Sequence, residues 1–210
     1  LPGEPAEGQN YIEVNPFDSS VRALKAAIEP TRDGSNHKIL LALRQLRDSD
    51  LTPLFEDLLD SNQPLLRIDA LLALNELETG EAVELRPILT RFNQRERLIA
   101  ISALIDLDLL ELPQARTVLD IEDLSEVEEL MLLAHIIGTG EDTGLGSRIR
   151  PLLEMDDPAT RMIAALLLAE IGEPEHLQRE MEAFQELDSQ TKVLVGTALI
   201  DLANWHPTRE

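Results

Sequence analysis

The stretch that decides the fold is DDPATRMIAALLLAEIGEPEHL, residues 156–177. Apolar or small residues follow Arg161 at +3, +4, +7 and +10, and this spacing places them along one face of an α-helix. The pair Asp157–Pro158 offers an N-cap and a first-turn proline, and Gly172 stops the helix at its other end. The stretch therefore predicts one amphipathic helix over about 158–171.

The same pattern recurs at Arg67, Arg97 and Lys192, so that the steps between basic positions are 30, 64 and 31 residues. The step of 64 divides into 30 and 34 if Val127 takes a vacant position. One amphipathic unit in each period of 20–50 residues is typical of a solenoid. Capping, glycine and proline signals predict six helix pairs, at 18–29 and 36–47, 51–60 and 64–77, 81–91 and 94–109, 112–120 and 124–137, 146–154 and 158–171, and 174–185 and 189–204.

The composition favours an all-α fold, because Leu, Ile and Ala dominate the apolar residues and only six aromatic side chains of Phe, Tyr and Trp are present. Residues 1–17 contain Pro, Gly and Glu without a helical period. We interpret them as an extended arm or linker, which either caps the first repeat or has no fixed structure. Residues 18–210 are expected to form a single domain. The start at Leu1 is compatible with a processed form or an excised part of a longer protein.

Residues 157–172 resemble the short bacterial form of the HEAT repeat, which also occurs in phycobilisome lyase-like proteins. The second helix of that family typically reads D-P-x-x-R-x-x-A-x-x-x-L-x-x-I-G, and this chain matches it at Asp157, Pro158, Arg161, Ala164, Leu168, Ile171 and Gly172. The resemblance covers residues 18 to about 204 and departs from the pattern at Val127 and Asn36, where the basic residue is missing. It implies a right-handed α-solenoid of about six HEAT-like helical hairpins.

Polar residues four positions before the basic ones can cap the second helices: Asn93, Asp123, Asp157 and Asp188. The HEAT resemblance implies that these residues form a ladder between repeats together with Arg67, Arg97, Arg161 and Lys192. The alternative is that the cations form a basic patch that binds phosphate.

The resemblance also implies that the second helices line a concave groove, which positions +1, +5 and +9 from the basic residue would face. This groove would have an apolar floor and an acidic edge, and it would suit a basic or amphipathic protein segment. The candidate partner-binding residues are Ile68, Leu72, Glu76, Leu98, Asp106, Leu132, Met162, Leu166, Glu170 and Asp201. Alternatively, packing between adjacent second helices consumes the apolar positions.

The formal charge of −22, from 40 acidic and 18 basic residues, argues against nucleic acid and anionic membranes as partners. The sequence has no cysteine, which excludes disulfides, thiolate nucleophiles and cysteine-bound zinc. No apolar run is long enough for a membrane span. The compartment is left open, with the cytoplasm favoured, and we expect a monomer.

The four histidines lie in different predicted repeats and show no metal-ligand spacing. We interpret His135 as a partly buried helix residue, Glu173, Glu175 and His176 as at most a feeble cation-attracting group, and 138–146 as a flexible turn. We therefore expect no catalytic residues, metal or cofactor. The hypothesis is a non-catalytic scaffold that binds a protein. The alternatives are an accessory or lyase-like protein that handles a small ligand or chromophore, and a HEAT-like DNA-repair enzyme, which would need a basic cleft.

Overall fold

The computed structural model describes residues 35–77, 83–140 and 144–205, and this part of the chain is all-α. It contains eleven α-helices: α1 Ser35–Gln45, α2 Thr52–Leu58, α3 Pro64–Glu76, α4 Leu85–Leu89, α5 Gln94–Asp106, α6 Leu112–Leu119, α7 Glu126–Gly138, α8 Gly146–Ile149, α9 Pro158–Glu170, α10 Glu175–Glu186 and α11 Ser189–Trp205. Two 3-10 turns, Ser49–Leu51 and Arg150–Glu154, extend α2 and α8. The all-α prediction is confirmed for this part of the chain.

Helices α3, α5, α7 and α9 form the framework, and each has 13 residues. They contact one another in chain order, and α1 packs against α3 at one end. The shorter helices lie between them in sequence: α2 packs on α3, α6 on α7, and α8 with its 3-10 turn on α9. The framework helices therefore correspond to the predicted second helices of pairs two to five.

The buried side chains form two clusters. A smaller cluster joins α1, α2 and α3 through residues such as Leu40, Leu43 and Phe55. The larger one runs from α3 through α5, α7 and α9 and includes Leu202 of α11. Leu59 and Val83 pack against both clusters, so the apolar core is continuous along the framework helices.

The helix ends follow the sequence signals closely. Gly172 adopts φ +97°, and the amide of Glu173 donates to the carbonyl of Leu168 at 2.9 Å, which is the hydrogen bond that closes a Schellman motif. The predicted helix 146–154 is instead four α-helical residues followed by a 3-10 turn, because Pro151 has no amide hydrogen for an α-helical bond. The predicted arm 1–17 and helix 18–29 lie outside the described residues.

Helix α11 departs from simple stacking. The sequence predicts it as the second helix of the sixth pair, and it contacts α9, its expected neighbour. It also contacts α7 and α5, which lie one and two repeats further back. Val195 and Leu202 are its buried residues, and Ala198 and Leu199 pack against the main core. The helix therefore runs across the framework helices.

Candidate functional site: the face beneath α11

The N-caps define the repeat register, and they correct the sequence prediction in the fourth repeat. The side chain of Ser125 accepts a hydrogen bond from the amide of Glu128 and is the N-cap of α7, so the predicted cap, Asp123, is wrong. Asp123 instead lies exposed and binds Arg97. The vacant basic position is therefore Glu129, four residues after the cap, and not Val127.

With Glu129 in this position, the repeat becomes more regular. The steps from Arg67 through Arg97, Glu129 and Arg161 to Lys192 are 30, 32, 32 and 31 residues. The other predicted caps are observed: Asn93 accepts from Glu96, Asp157 from Thr160 and Asp188 from Thr191. Asp188 is exposed, and its bonds from the hydroxyl and amide of Thr191 lower its pKa.

Arg97 forms the most buried ion pair of the framework. Its Nε lies 2.8 Å from Oε1 of Glu128, and its Nη2 donates to the carbonyl of Asp123 at 2.6 Å. Glu128 also accepts the amide of Ser125 at 2.7 Å, which completes a capping box. Burial opposes the charge of Arg97, but the bonds from the guanidinium to Glu128 and Asp123 outweigh it and raise the pKa of Arg97.

Glu96 has the same double role one repeat earlier. It completes the capping box with Asn93 at the start of α5, and it accepts a hydrogen bond from Arg67 of α3. Burial opposes its ionisation, yet the bonds from Arg67 and from the amide of Asn93 hold the pKa of Glu96 below its ordinary value. The guanidinium of Arg67 also lies over the ring of Phe92, 5.3 Å from its centroid.

The predicted ladder therefore exists in part: Arg97 binds the predicted Asp123, but Glu96, Glu128 and Glu180 accept most of the side-chain bonds from the arginines. Arg161 binds Glu180 of α10 at 3.2 Å, and Lys192 donates to the carbonyl of Gln185 at 2.8 Å. The prediction missed Glu96 and Glu128. A capping-box search would have found them, because each lies three residues after an Asn or Ser cap.

Further ion pairs join the repeats outside the predicted ladder. Arg44 of α1 binds Glu76 of α3 through two hydrogen bonds of 2.5 and 2.6 Å. Arg148 binds Glu129 at 3.1 Å, so that the acid in the fourth basic position is also paired. These contacts account for the cations as links between helices, which disfavours the alternative of a phosphate-binding patch.

Four predicted groove residues are wrong, because Ile68, Leu72, Leu132 and Met162 are buried in the described structure. Ile68, Leu72 and Leu132 belong to the larger apolar cluster, whereas Met162 lines a crevice against α10. Glu76 is paired with Arg44 and is not part of an acidic edge. The remaining described candidates lie at the surface or partly so: Leu98 and Leu166 are half-buried, and Asp106 and Glu170 are exposed, while the side chain of Asp201 lies outside the description.

Helix α11 lies against α5, α7 and α9, three of the helices that the sequence analysis places along the predicted groove. We call the surface of α5, α7 and α9 beneath this helix the second-helix face. A cavity of about 420 Å³ remains between the face and α11. Its lining comprises Leu98, Ser102, Val127, Leu130, Met131, Asp157, Ala159, Thr160, Ile163 and, from α11, Ala198. The face therefore holds an apolar helix without being filled by it.

Two groups outside this face contain histidine, a side chain that can transfer protons or bind metals. The ring of His135 is more buried than predicted, and its Nε2 lies 2.8 Å from the carbonyl of Leu110, whereas Nδ1 has no partner. Ligand atoms of Glu173, Glu175 and His176 lie within 4.8 Å of one another. Glu173 is already bound to Arg150 at 2.6 Å, so one carboxylate of this surface cluster is engaged in an ion pair.

None of the helices in the described ranges combines the length and the apolar character needed to cross a bilayer. In comparisons with known proteins, no family model, curated protein sequence or solved structure matches this chain.

Proposed function

We propose that this chain is a HEAT-like α-solenoid of about six helical hairpins and acts as a non-catalytic scaffold that binds a protein partner on its second-helix face. The architecture is supported by four equal framework helices that contact in chain order and by the ion pairs between successive repeats. Solenoids commonly use such an extended inner face for binding.

The observation that carries the proposal is the position of α11 across α5, α7 and α9. A helix of the chain itself lies there, which supports a face that can accept a helix, and binding of an amphipathic helix in an apolar groove is a common mode of recognition. Val127 lines the cavity and remains exposed, so part of the face is open even with α11 in place.

The charged side chains support a scaffold more than an enzyme. The most buried ionic groups of the framework are Arg97, Glu128 and Glu96. Arg97 binds Glu128. Glu96 accepts a hydrogen bond from Arg67, and Glu128 also accepts one from the amide of Ser125. Groups held in this way stabilise the positions of the helices, a structural role that fits a scaffold.

The second candidate is an accessory protein that handles a small ligand. The cavity of about 420 Å³ favours it, because ligand pockets have volumes of about 300–1,000 Å³ with apolar walls and a few polar groups. Ser102 and Thr160 are the hydroxyl groups in its lining. A small ligand would bind without moving α11, whereas a partner helix needs a larger area than the cavity offers.

Affinity capture from extracts of the source cells tests the main proposal. The variant Val127→Glu places a charge in the face, and Leu65→Glu is the matched control, since both side chains are exposed and lie in the first turn of a framework helix. We expect wild type and Leu65→Glu to capture the same protein and Val127→Glu to lose it, with equal helical circular dichroism for all three. Capture of the same protein by all three would locate binding elsewhere and refute the proposal.

A further inference from the structure

Helix α11 fits the second-helix face incompletely. The cavity of about 420 Å³ lies under the middle of the helix, where the side chain of Ala198 contributes to its lining. Unfilled apolar space beside small side chains forfeits packing contacts, so larger side chains would bind the face more tightly than those of α11.

Two features of the sequence of α11 also weaken its binding to the second-helix face. Gly196 interrupts the helix, and an interior glycine costs a helix about 1 kcal/mol relative to alanine, which corresponds to about fivefold in its equilibrium. Its outward side exposes Val193, Leu194 and Ile200, by 67%, 60% and 66% respectively. A helix that is apolar on both sides is usually buried on both. Helix α11 is covered on one side only within the described structure.

The charges around the face are not matched by α11. Asp157 lines the cavity, no lysine or arginine of the described residues does, and Asp106 accepts a hydrogen bond from Ser102, another lining residue, at 3.4 Å; Asp106 and Asp157 are exposed and form an acidic border. The sequence of α11 contains one lysine and one aspartate. Lysine and arginine side chains on a bound helix would be attracted to this acidic border, and this attraction is absent when α11 covers the face.

We propose that the second-helix face is the docking surface for a basic amphipathic helix with larger apolar side chains, and that α11 is its built-in competitor. This inference depends on the proposed function and adds the chemistry of the partner and the control of access. In the free protein α11 covers the face. The partner displaces it by filling the cavity and by neutralising the acidic border.

The test uses the full chain and two synthetic helical peptides of 18 residues that lack tryptophan. Both carry leucine on one face, and the polar face is lysine in one peptide and glutamate in the other. Two readouts are taken: peptide affinity by fluorescence anisotropy, and hydrogen exchange of the amides in 189–205 with and without saturating peptide. We expect the lysine peptide to bind and to remove protection from α11, and the glutamate peptide not to bind.

Three variants separate competition from binding elsewhere. Leu202→Ala removes a buried side chain of α11, and Ala198→Leu fills the cavity from the α11 side. Ile200→Ala, on the exposed side of the same helix, is the matched control. We expect Leu202→Ala to bind the lysine peptide about tenfold more tightly and Ala198→Leu about tenfold more weakly, with Ile200→Ala unchanged; tenfold corresponds to about 1.4 kcal/mol.

The outcomes separate a failure of the competition by α11 from a failure of the proposed function. Equal affinity of all variants for the lysine peptide, with α11 still protected, would overturn the competition while leaving a helix-binding scaffold. Equal binding of both peptides would overturn the basic character of the partner. If neither peptide binds even to Leu202→Ala, whose helix α11 exchanges freely, the second-helix face does not bind helices, and the proposed function fails together with the inference.

Discussion

Arg97 and Glu128 form a bidentate ion pair inside the protein, with Nε–Oε1 and Nη2–Oε2 distances of 2.8 and 3.3 Å. Their side chains expose 2% and 0% of their surface. Glu128 also completes the capping box of its own helix. The pair therefore joins the first turn of α5 to the first turn of α7. Several predictions depend on this arrangement and on its counterpart at Arg67 and Glu96.

Removal of one charge of the pair should be far more damaging than removal of both. Glu128→Gln leaves the buried Arg97 with only the exposed carboxylate of Asp123 as a charged partner, and we expect a loss of about 3 kcal/mol in the free energy of unfolding. The double variant Arg97→Met/Glu128→Leu should recover much of this loss, since apolar side chains replace a buried ion pair at little cost. Urea unfolding measures both. Equal losses for the single and double variants would contradict a pair held together by charge compensation, and Glu126→Gln on the exposed side is the control.

The lowered pKa of Glu96 predicts a pH dependence of stability. A carboxyl group with a lower pKa in the folded state contributes stability above its ordinary value, 4.5, and this contribution is lost as the pH falls through the folded-state pKa. We expect wild type to exceed Glu96→Gln in free energy of unfolding at pH 7, and the difference to shrink as the pH is lowered below about 4.5. Urea unfolding from pH 7 to pH 3 measures it, and a difference that stays constant would contradict the ionised pair with Arg67.

The cap of α7 can be located by two alanine substitutions. Ser125→Ala removes the acceptor for the amide of Glu128 and should cost about 1 kcal/mol. Asp123→Ala removes only an exposed contact with Arg97 and should cost less, within the 0–1 kcal/mol of surface ion pairs. Thermal unfolding of the two variants decides between the register with Glu129 and the one with Val127. A larger effect at Asp123 would favour the latter.

Alanine substitution of two glycines should change the stability of the protein in opposite directions. Gly172 has φ +97°, a conformation that an L-residue adopts at a cost of about 1–2 kcal/mol, so Gly172→Ala should lower the melting temperature. Gly196 lies within α11 with open space at its Cβ position, so Gly196→Ala should stabilise that helix by up to about 1 kcal/mol. Differential scanning calorimetry and hydrogen exchange over 189–205 measure the two effects. A loss of protection in Gly196→Ala would show that the glycine is needed for packing.

The sequence predicted the helices well because their ends carry local signals. Pro64, Pro158 and Gly172 mark boundaries that hold to within one residue in the structure. The fourth repeat was misplaced because Asp123 stands four residues before an apolar residue in helical register, whereas the true cap, Ser125, precedes an acid where a cation was expected. The spacing from Ser125 to Glu128 is a capping-box signal that the prediction from apolar register did not use.

The candidate site was predicted less well, because it depends on contacts between residues far apart in the sequence. Helical period distinguishes an apolar side from a polar one, but Leu132 belongs to a helix that is buried almost all round, so no polar side marks its exposure. The contact of α11 with α5 joins residues almost a hundred positions apart, and no periodic signal encodes it. Such contacts are decided by which surfaces remain uncovered once the repeats have stacked.

The double role of Glu96 and Glu128 restricts where the chain can change in length. An insertion between a cap and the third residue of its helix would break the helix start and the link to the preceding repeat in one event. The framework helices all have 13 residues, and the change from a step of 30 to one of 32 lies upstream of Ser125, in the connection from α5 and around α6. Natural variants of this chain should therefore gain or lose residues in those connections, while the four residues that open each framework helix keep their spacing.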